Sequence, residues 1–134
     1  MLAEWLTHLI TPCPQHLREM GYLRELIALG ARQQRRRRAW TKHLDHCRGL
    51  IIEAARASTR RRKAVVLGSG LLHDIPLVDL AGLFGEVVMV DILHLRPERQ
   101  KARRLANVRF LDHDLTGIVK AVHDHVHANA GGPL

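Results

Sequence analysis

The stretch Ala64–Pro76, AVVLGSGLLHDIP, limits the possible folds more than any other part of the chain. Its first four residues are apolar, and two of them are β-branched. Such a run is too short for a helix and lacks the polar alternation of a strand with one wet face. It predicts a strand buried on both faces, the kind that parallel sheets contain. Gly68-Ser69-Gly70 follows at once and predicts a tight turn. Asp74 is a capping residue type and Pro76 suits a first helical turn, so a helix is expected directly beyond. Strand, glycine turn and helix amino end together would offer free N–H groups to an anion or nucleotide.

The chain beyond this stretch alternates in period. Leu77, Leu80, Ala81 and Phe84 give one apolar helical face, which Gly85 ends. Val87–Asp91 is a second strand of the buried type with an acidic end. Pro97 to Leu105 is a short charged helix, and Val108–Asp112 is a third strand. Ile118, Val119, Val122 and Val126 then mark a third helix, followed by a loop over 129–134. The order β-α-β-α-β-α predicts an α/β fold with a parallel sheet of three strands in the order 3-2-1.

Ahead of it lies a helical arm. Leu2, Trp5, Leu6, Leu9 and Ile10 keep helical spacing, and Pro12 and Pro14 break it. The period returns through Leu17, Met20, Leu23 and Ile27, and again through Trp40, Leu44, Cys47, Ile51 and Ala54. This predicts one interrupted helix or two consecutive ones across 15–57, with Gly30 the expected bend or break. The expected organisation is a helical arm over 1–60 and a partial nucleotide-binding domain over 61–134, forming one compact unit.

The net charge of +8 belongs to the arm. Residues 1–63 carry 14 Lys and Arg against 5 Asp and Glu, whereas residues 64–134 carry 7 against 8. Arg35–Arg38 and Arg60–Lys63 account for much of that excess. They read as solvated surface or, alternatively, as contacts to the phosphates of nucleic acid or of an anionic surface. Few aromatic residues interleave with them, which disfavours a stacking platform for single strands. No apolar run is long enough to span a membrane, and Met1–Leu6 lacks the pattern of a secretion signal. Two cysteines, Cys13 and Cys47, do not make a disulfide framework, so a cytoplasmic location is expected.

Asp91 stands twenty-one residues after Gly70, at the end of the second strand. In a parallel sheet this places its carboxylate beside the glycine turn, where it can accept from both hydroxyls of a ribose. Asp114, just past the third strand, would share that rim. At these residues the chain resembles the amino-terminal half of the class I, Rossmann-like S-adenosylmethionine-dependent methyltransferases. The resemblance covers about residues 40–125 and rests on Val66-Leu67-Gly68-Ser69-Gly70, Val90-Asp91 and Val108–Asp114. It implies a cofactor site in which Gly68, Ser69 and Gly70 approach the methionine part, Asp91 holds the ribose and Asp114 reaches adenine. Val66 stands where the family usually has an acid, and Leu72 where it often has a further glycine. A dinucleotide-binding motif would need its third glycine at His73, which makes NAD a poorer fit.

The resemblance also implies a sheet with a second half, so strand Ala64–Leu67 is expected at an edge. That makes the chain a fragment, a truncated relative or a subunit whose edge pairs with a second chain. A non-catalytic basic scaffolding module is the alternative. No catalytic residue is assigned, because in the family the groups that orient the methyl acceptor often come from later segments.

Other clusters carry weaker chemistry. His123 and His127 share a helical face at a spacing that could seat a metal, but zinc needs three or four converging ligands. Asp124 and His113 are conceivable third ligands but neither is marked by its spacing, so no metal site is assigned. His43 and Cys47 share a face with Trp40, Leu44 and Ile51, which predicts core packing. Ser69 lacks the Gly-x-Ser-x-Gly setting of a nucleophile and is expected to offer its hydroxyl or amide to a ligand.

Overall fold

Three parallel strands form the sheet: β1 (Lys63–Leu67), β2 (Glu86–Asp91) and β3 (Val108–Asp112). The computed structural model describes residues 2–130, with the side chains of Leu2 and Ala3 left aside. The strands lie in the order β1-β2-β3, so β2 is central and β1 is an edge. In register, Val66 stands opposite Met89 and Met89 opposite Phe110. Among the described residues seven helices accompany the sheet: α1 (Leu2–Ile10), α2 (Gln15–Glu19), α3 (Tyr22–Arg35), α4 (Arg37–Ala57), α5 (Leu77–Leu83), α6 (Arg96–Lys101) and α7 (Val119–Asn129). None of them is long and apolar enough to cross a membrane.

One sheet face carries the main core. Ala64, Val66, Val87, Met89, Val108 and Phe110 point to it, by the two-residue alternation of a strand. There they meet Ile51 and Ala55 of α4, Leu77 and Leu80 of α5, and Phe84 and Leu72. Burying an aliphatic side chain of this size contributes about 1.5–3 kcal/mol, so this layer holds the sheet to the helices.

The opposite face of β1 is open. Val65 is 53% exposed and Leu67 is 64% exposed, and Leu111 on β3 is exposed as well. The expectation of a strand buried on both faces is therefore corrected. The helices of this core lie on one side of the sheet only, and β1, at the edge, lacks the two flanking strands that shelter Val88 and Val90 on β2. At the other end of this face Glu86 joins Lys63 at 2.7 Å and Arg109 at 2.6 Å, one carboxylate linking all three strands. These contacts, led by the Lys63 ammonium, hold the Glu86 pKa below its usual value.

The arm breaks elsewhere than expected, giving three helices over 15–57. Gly30 lies inside α3, close to Leu71: a Cβ there would sit 3.5 Å from Leu71 Cδ1. The chain turns instead at Gly21, whose φ of 83° suits glycine, and at Arg36. Arg36 stands within Arg35–Arg38, where a break in the helix separates crowded like charges. Leu23, Leu26 and Ile27 of α3 pack with Leu71, Leu93 and Leu95, which follow β1 and β2. The arm is thereby fixed against the carboxyl end of the sheet.

The helix expected beyond the glycine turn is α5, and it starts at Leu77, the first residue of the expected apolar face. Asp74 caps nothing, and Pro76 occupies the N-cap position. Leu71 packs towards α3, whereas Leu72 and Ile75 pack into the sheet core. Neighbours drawn in opposite directions do not share one helical face. The charged helix α6 ends at Lys101 rather than Leu105, and the expected tail loop falls largely on 131–134, outside the described residues.

Leu72 is buried with a φ of 59°, in the left-handed region that side-chain-bearing residues rarely adopt. Backbone strain and core burial oppose each other here. Leu72→Ala should destabilise the chain by about 2–5 kcal/mol, and Leu72→Gly should be the milder change by about 1 kcal/mol. Equilibrium urea unfolding reads both values; Gly ranking below Ala, as at ordinary helix or strand positions, would contradict the strain.

Candidate functional site

The carboxyl ends of β1 and β2 meet at Asp91. Its Oδ2 accepts the Gly70 N–H at 2.6 Å and its Oδ1 accepts the Ile92 N–H at 2.7 Å. The glycine turn and the acidic strand end are thus in direct contact. The remaining N–H groups of the turn are also taken, since Gly68 and Ser69 both donate to the Val90 carbonyl, at 2.8 and 3.1 Å. The expected ring of free N–H donors for an anion is therefore not formed. The turn has folded back onto β2, and the helix that would have continued the ring starts at Leu77. Gly68 and Gly70 have φ of 69° and 52°, and a Cβ on Gly68 would meet nothing within 4 Å. The space beside Gly68 is open.

Ser69 is 2% exposed and faces inward. Its Oγ lies 2.7 Å from Nε2 of His94, and Nδ1 of His94 lies 2.6 Å from Asp112 Oδ1. A carboxylate only accepts, so the imidazole donates from Nδ1. Asp112 Oδ2 accepts from Arg99 Nη2 at 2.6 Å, and the Arg99 guanidinium lies over the Phe110 ring. His94, itself 1% exposed, also meets the Phe110 ring edge-on. The order serine, histidine, aspartate is that of a hydrolytic triad, but the hydroxyl is sealed from solvent and cannot attack a substrate. The chain of contacts instead ties the ends of β1, β2 and β3 to α6. Ser69 was expected to offer its hydroxyl or amide outward; both are spent inside. His94 was not foreseen, since a lone histidine in Ile92-Leu93-His94-Leu95 carries no spacing signal.

Asp114 does not join Asp91 in a shared pocket. Its Oδ1 accepts from the hydroxyl and N–H of Thr116 at 2.6 and 2.9 Å, and its Oδ2 accepts the Val119 N–H at 2.9 Å. It organises the turn that enters α7. The Thr116 hydroxyl, followed by the Val119 N–H, lowers its pKa from 3.8 to about 2.

A cavity of about 550 Å3 opens beside the rim, large enough for a small organic ligand. Leu71 and His73 wall it on the side of the glycine turn; Leu95, Pro97 and Glu98 wall it on the side of Asp91. Gln33, Arg37 and Trp40 close it from the arm. None of the five expected cofactor residues lines it, although Asp91 borders a smaller cavity of about 250 Å3 with Tyr22 and Arg32. Glu98 is 5% exposed, and burial raises its pKa against the opposing pull of Lys101. Its Oε2 has no hydrogen-bond partner, nor has Gln33 Oε1. Burial likewise pushes the His73 pKa down, helped by Lys101. The loop carrying His73 is held in place, because Arg48 donates to the His73 carbonyl and Lys101 to that of Leu71.

Of the other sequence candidates, Arg37 and Trp40 reach only the larger cavity. Trp40 and His43 are exposed and stack edge-on, and Cys47 Sγ lies 3.6 Å from His43 Nε2. Core packing of that face is corrected: α4 turns Ile51 and Ala55 to the sheet core, whereas Trp40 and Leu44, further up the helix, line the larger cavity. Arg35–Arg38 are exposed at the junction of α3 and α4. His123 and His127 acquire a third polar neighbour, Glu19, which the sequence places 104 residues away. Comparison of the chain with protein-family models, with curated proteins and with solved structures finds no match.

The depressed Asp114 pKa gives a signed pH dependence. A carboxyl whose folded pKa lies below its unfolded one stabilises the fold above the unfolded value and loses that contribution as pH falls to the folded one. Thermal melts should show wild type more stable than Asp114→Asn above pH 4, with the gap closing between pH 3.8 and about 2. A gap that is constant with pH would contradict the bonding described.

Proposed function

We propose that the chain is a Rossmann-like, methyltransferase-type domain that binds S-adenosylmethionine or its demethylated product at the rim of β1 and β2. The carrying observation is the 2.6 Å contact between the Gly70 N–H and the Asp91 carboxylate, which sets the glycine turn beside the acidic strand end. Each carboxylate oxygen keeps a second lone pair, so Asp91 can accept a ribose hydroxyl without losing either N–H bond. The open space at Gly68 lets a ligand approach the backbone closely.

The chemistry of the turn favours this ligand over a dinucleotide. A pyrophosphate needs a row of free N–H donors at a helix amino end. Here those donors are spent on Val90 and Asp91, and α5 starts at Leu77. S-adenosylmethionine carries no phosphate and asks the site for acceptors at its ribose and its ammonium group. Glu98 Oε2 and Gln33 Oε1 are buried acceptors without partners beside the 550 Å3 cavity, matched to an ammonium donor. In this reading Gly68 and Gly70 give backbone clearance, Ser69 fixes the turn through His94, and Asp91 takes the ribose. Asp114, whose two oxygens hold Thr116 and Val119, is not assigned a part in ligand binding. Methyl transfer from the sulfonium would rest on holding the two reactants in line, and no residue of this chain is assigned to the transfer itself.

Isothermal titration with S-adenosylmethionine and with its demethylated product tests the proposal. Binding is expected to one site, weakened about tenfold or more in Asp91→Ala and in Glu98→Gln. No heat with either compound, or equal affinity in Asp91→Ala, would overturn the assignment.

A further inference from the structure

We infer that α2 and α7 together form a binding site for one divalent transition-metal ion of the zinc class, held by Glu19, His123 and His127. Histidines four apart on a helix lie on one face, and α7 presents two of them in this way. The loop at Gly21 turns α3 away from α2 and leaves Glu19 at the end of α2, opposite that face. Glu19 Oε2 lies 2.7 Å from His123 Nε2 and 3.3 Å from His127 Nε2. All three donor atoms fall within 4.8 Å of one another. Tetrahedral zinc with nitrogen and oxygen ligands needs donors about 3.3 Å apart, so small side-chain rotations would complete the geometry.

The ligand set is backed by a second layer. His123 Nδ1 lies 3.1 Å from Asp124 Oδ1, and Asp124 Oδ2 is itself held by Lys120 Nζ at 2.5 Å. A carboxylate behind the imidazole fixes the ring so that Nε2 faces outward, the arrangement that metal-binding histidines characteristically have. Glu19 is oriented similarly, since its other oxygen, Oε1, accepts from Gln15 Nε2 at 2.6 Å. His16, on the same short helix, meets the His123 ring edge-on with ring centres 5.9 Å apart. It is a further imidazole beside the cluster, with the fourth coordination position otherwise left to water. Two imidazoles and one carboxylate with an open position suit zinc, iron(II), cobalt(II) or nickel(II), and not the all-oxygen shells of calcium or magnesium.

Two imidazoles converging on one carboxylate could also be a plain hydrogen-bonded cluster. The second layer argues for more, because it holds both His123 and Glu19 from behind. A bound ion would clamp the arm to the last helix across 104 residues of sequence. The site is independent of the cofactor proposal and shares no residue with it.

The test uses the untagged full chain, stripped with a chelator and titrated with zinc sulfate by calorimetry at pH 7.5. One equivalent is expected to bind, with a rise in melting temperature that added chelator reverses. Cobalt(II) should give the visible absorption bands of a four- or five-coordinate ion. His127 is exposed, so His127→Ala should fold normally yet bind zinc at least tenfold more weakly, as should Glu19→Gln. Asp124→Asn should cost about tenfold or more through the second layer. His125→Ala, on the same helix and outside the cluster, should bind like wild type. Undiminished binding in both His127→Ala and Glu19→Gln would overturn the site, as would the absence of a one-to-one isotherm or loss of binding in His125→Ala alone.

Discussion

A single carboxylate organises the carboxyl rim. Asp91 accepts one N–H from the glycine turn and one from its own chain neighbour, so the end of β2 and the bend after β1 form one rigid unit. Hydrogen bonds to an ionised acceptor are about twice as strong as neutral ones, and both here are short. Behind this unit, buried Ser69 and His94 continue outward to Asp112 and Arg99 at the surface, a connected chain across all three strand ends. Removing the Ser69 hydroxyl or Asp112 would leave a nitrogen of the buried His94 ring without its partner, which costs about 1–3 kcal/mol. The rim is therefore held from two sides, and the arm can settle on it through Leu23, Leu71, Leu93 and Leu95.

The elements of the sheet were legible in the sequence because each depends on a local pattern. Val87–Val90 is an apolar run between turn signals, and it becomes the buried central strand. Gly-x-Gly and Asp91 also announced their meeting, because parallel neighbours in register bring consecutive strand ends together. The burial of β1 was misread for a physical reason: Ala-Val-Val-Leu has the composition of a central strand but lies at an edge. Composition records what a strand tolerates, whereas exposure depends on how many layers surround it. The same holds for Trp40, whose helical period with Ile51 is real although α4 outruns the sheet.

What was hidden in the sequence is long-range. His94 gives no pattern of its own, and its role exists only because Ser69 and Asp112 reach it from two other strand ends. Glu19 is likewise an ordinary residue at the end of a five-residue helix until α7 is laid beside it. The unpartnered oxygens of Glu98 and Gln33 depend on how the arm closes over the rim. In each case local sequence supplies the group, and the tertiary fold supplies its partner or withholds it.

The claim at the centre of this account is that Gly70 and Asp91 are bonded in the free protein, before any ligand arrives. Native-state amide hydrogen exchange at Gly70, followed by NMR in wild type and in Asp91→Ala, addresses it most directly. The Gly70 amide should be protected in wild type, with protection falling about tenfold or more in the variant while the β2 amides stay protected. A Gly70 amide that exchanges in wild type at the rate of an unstructured chain would contradict it.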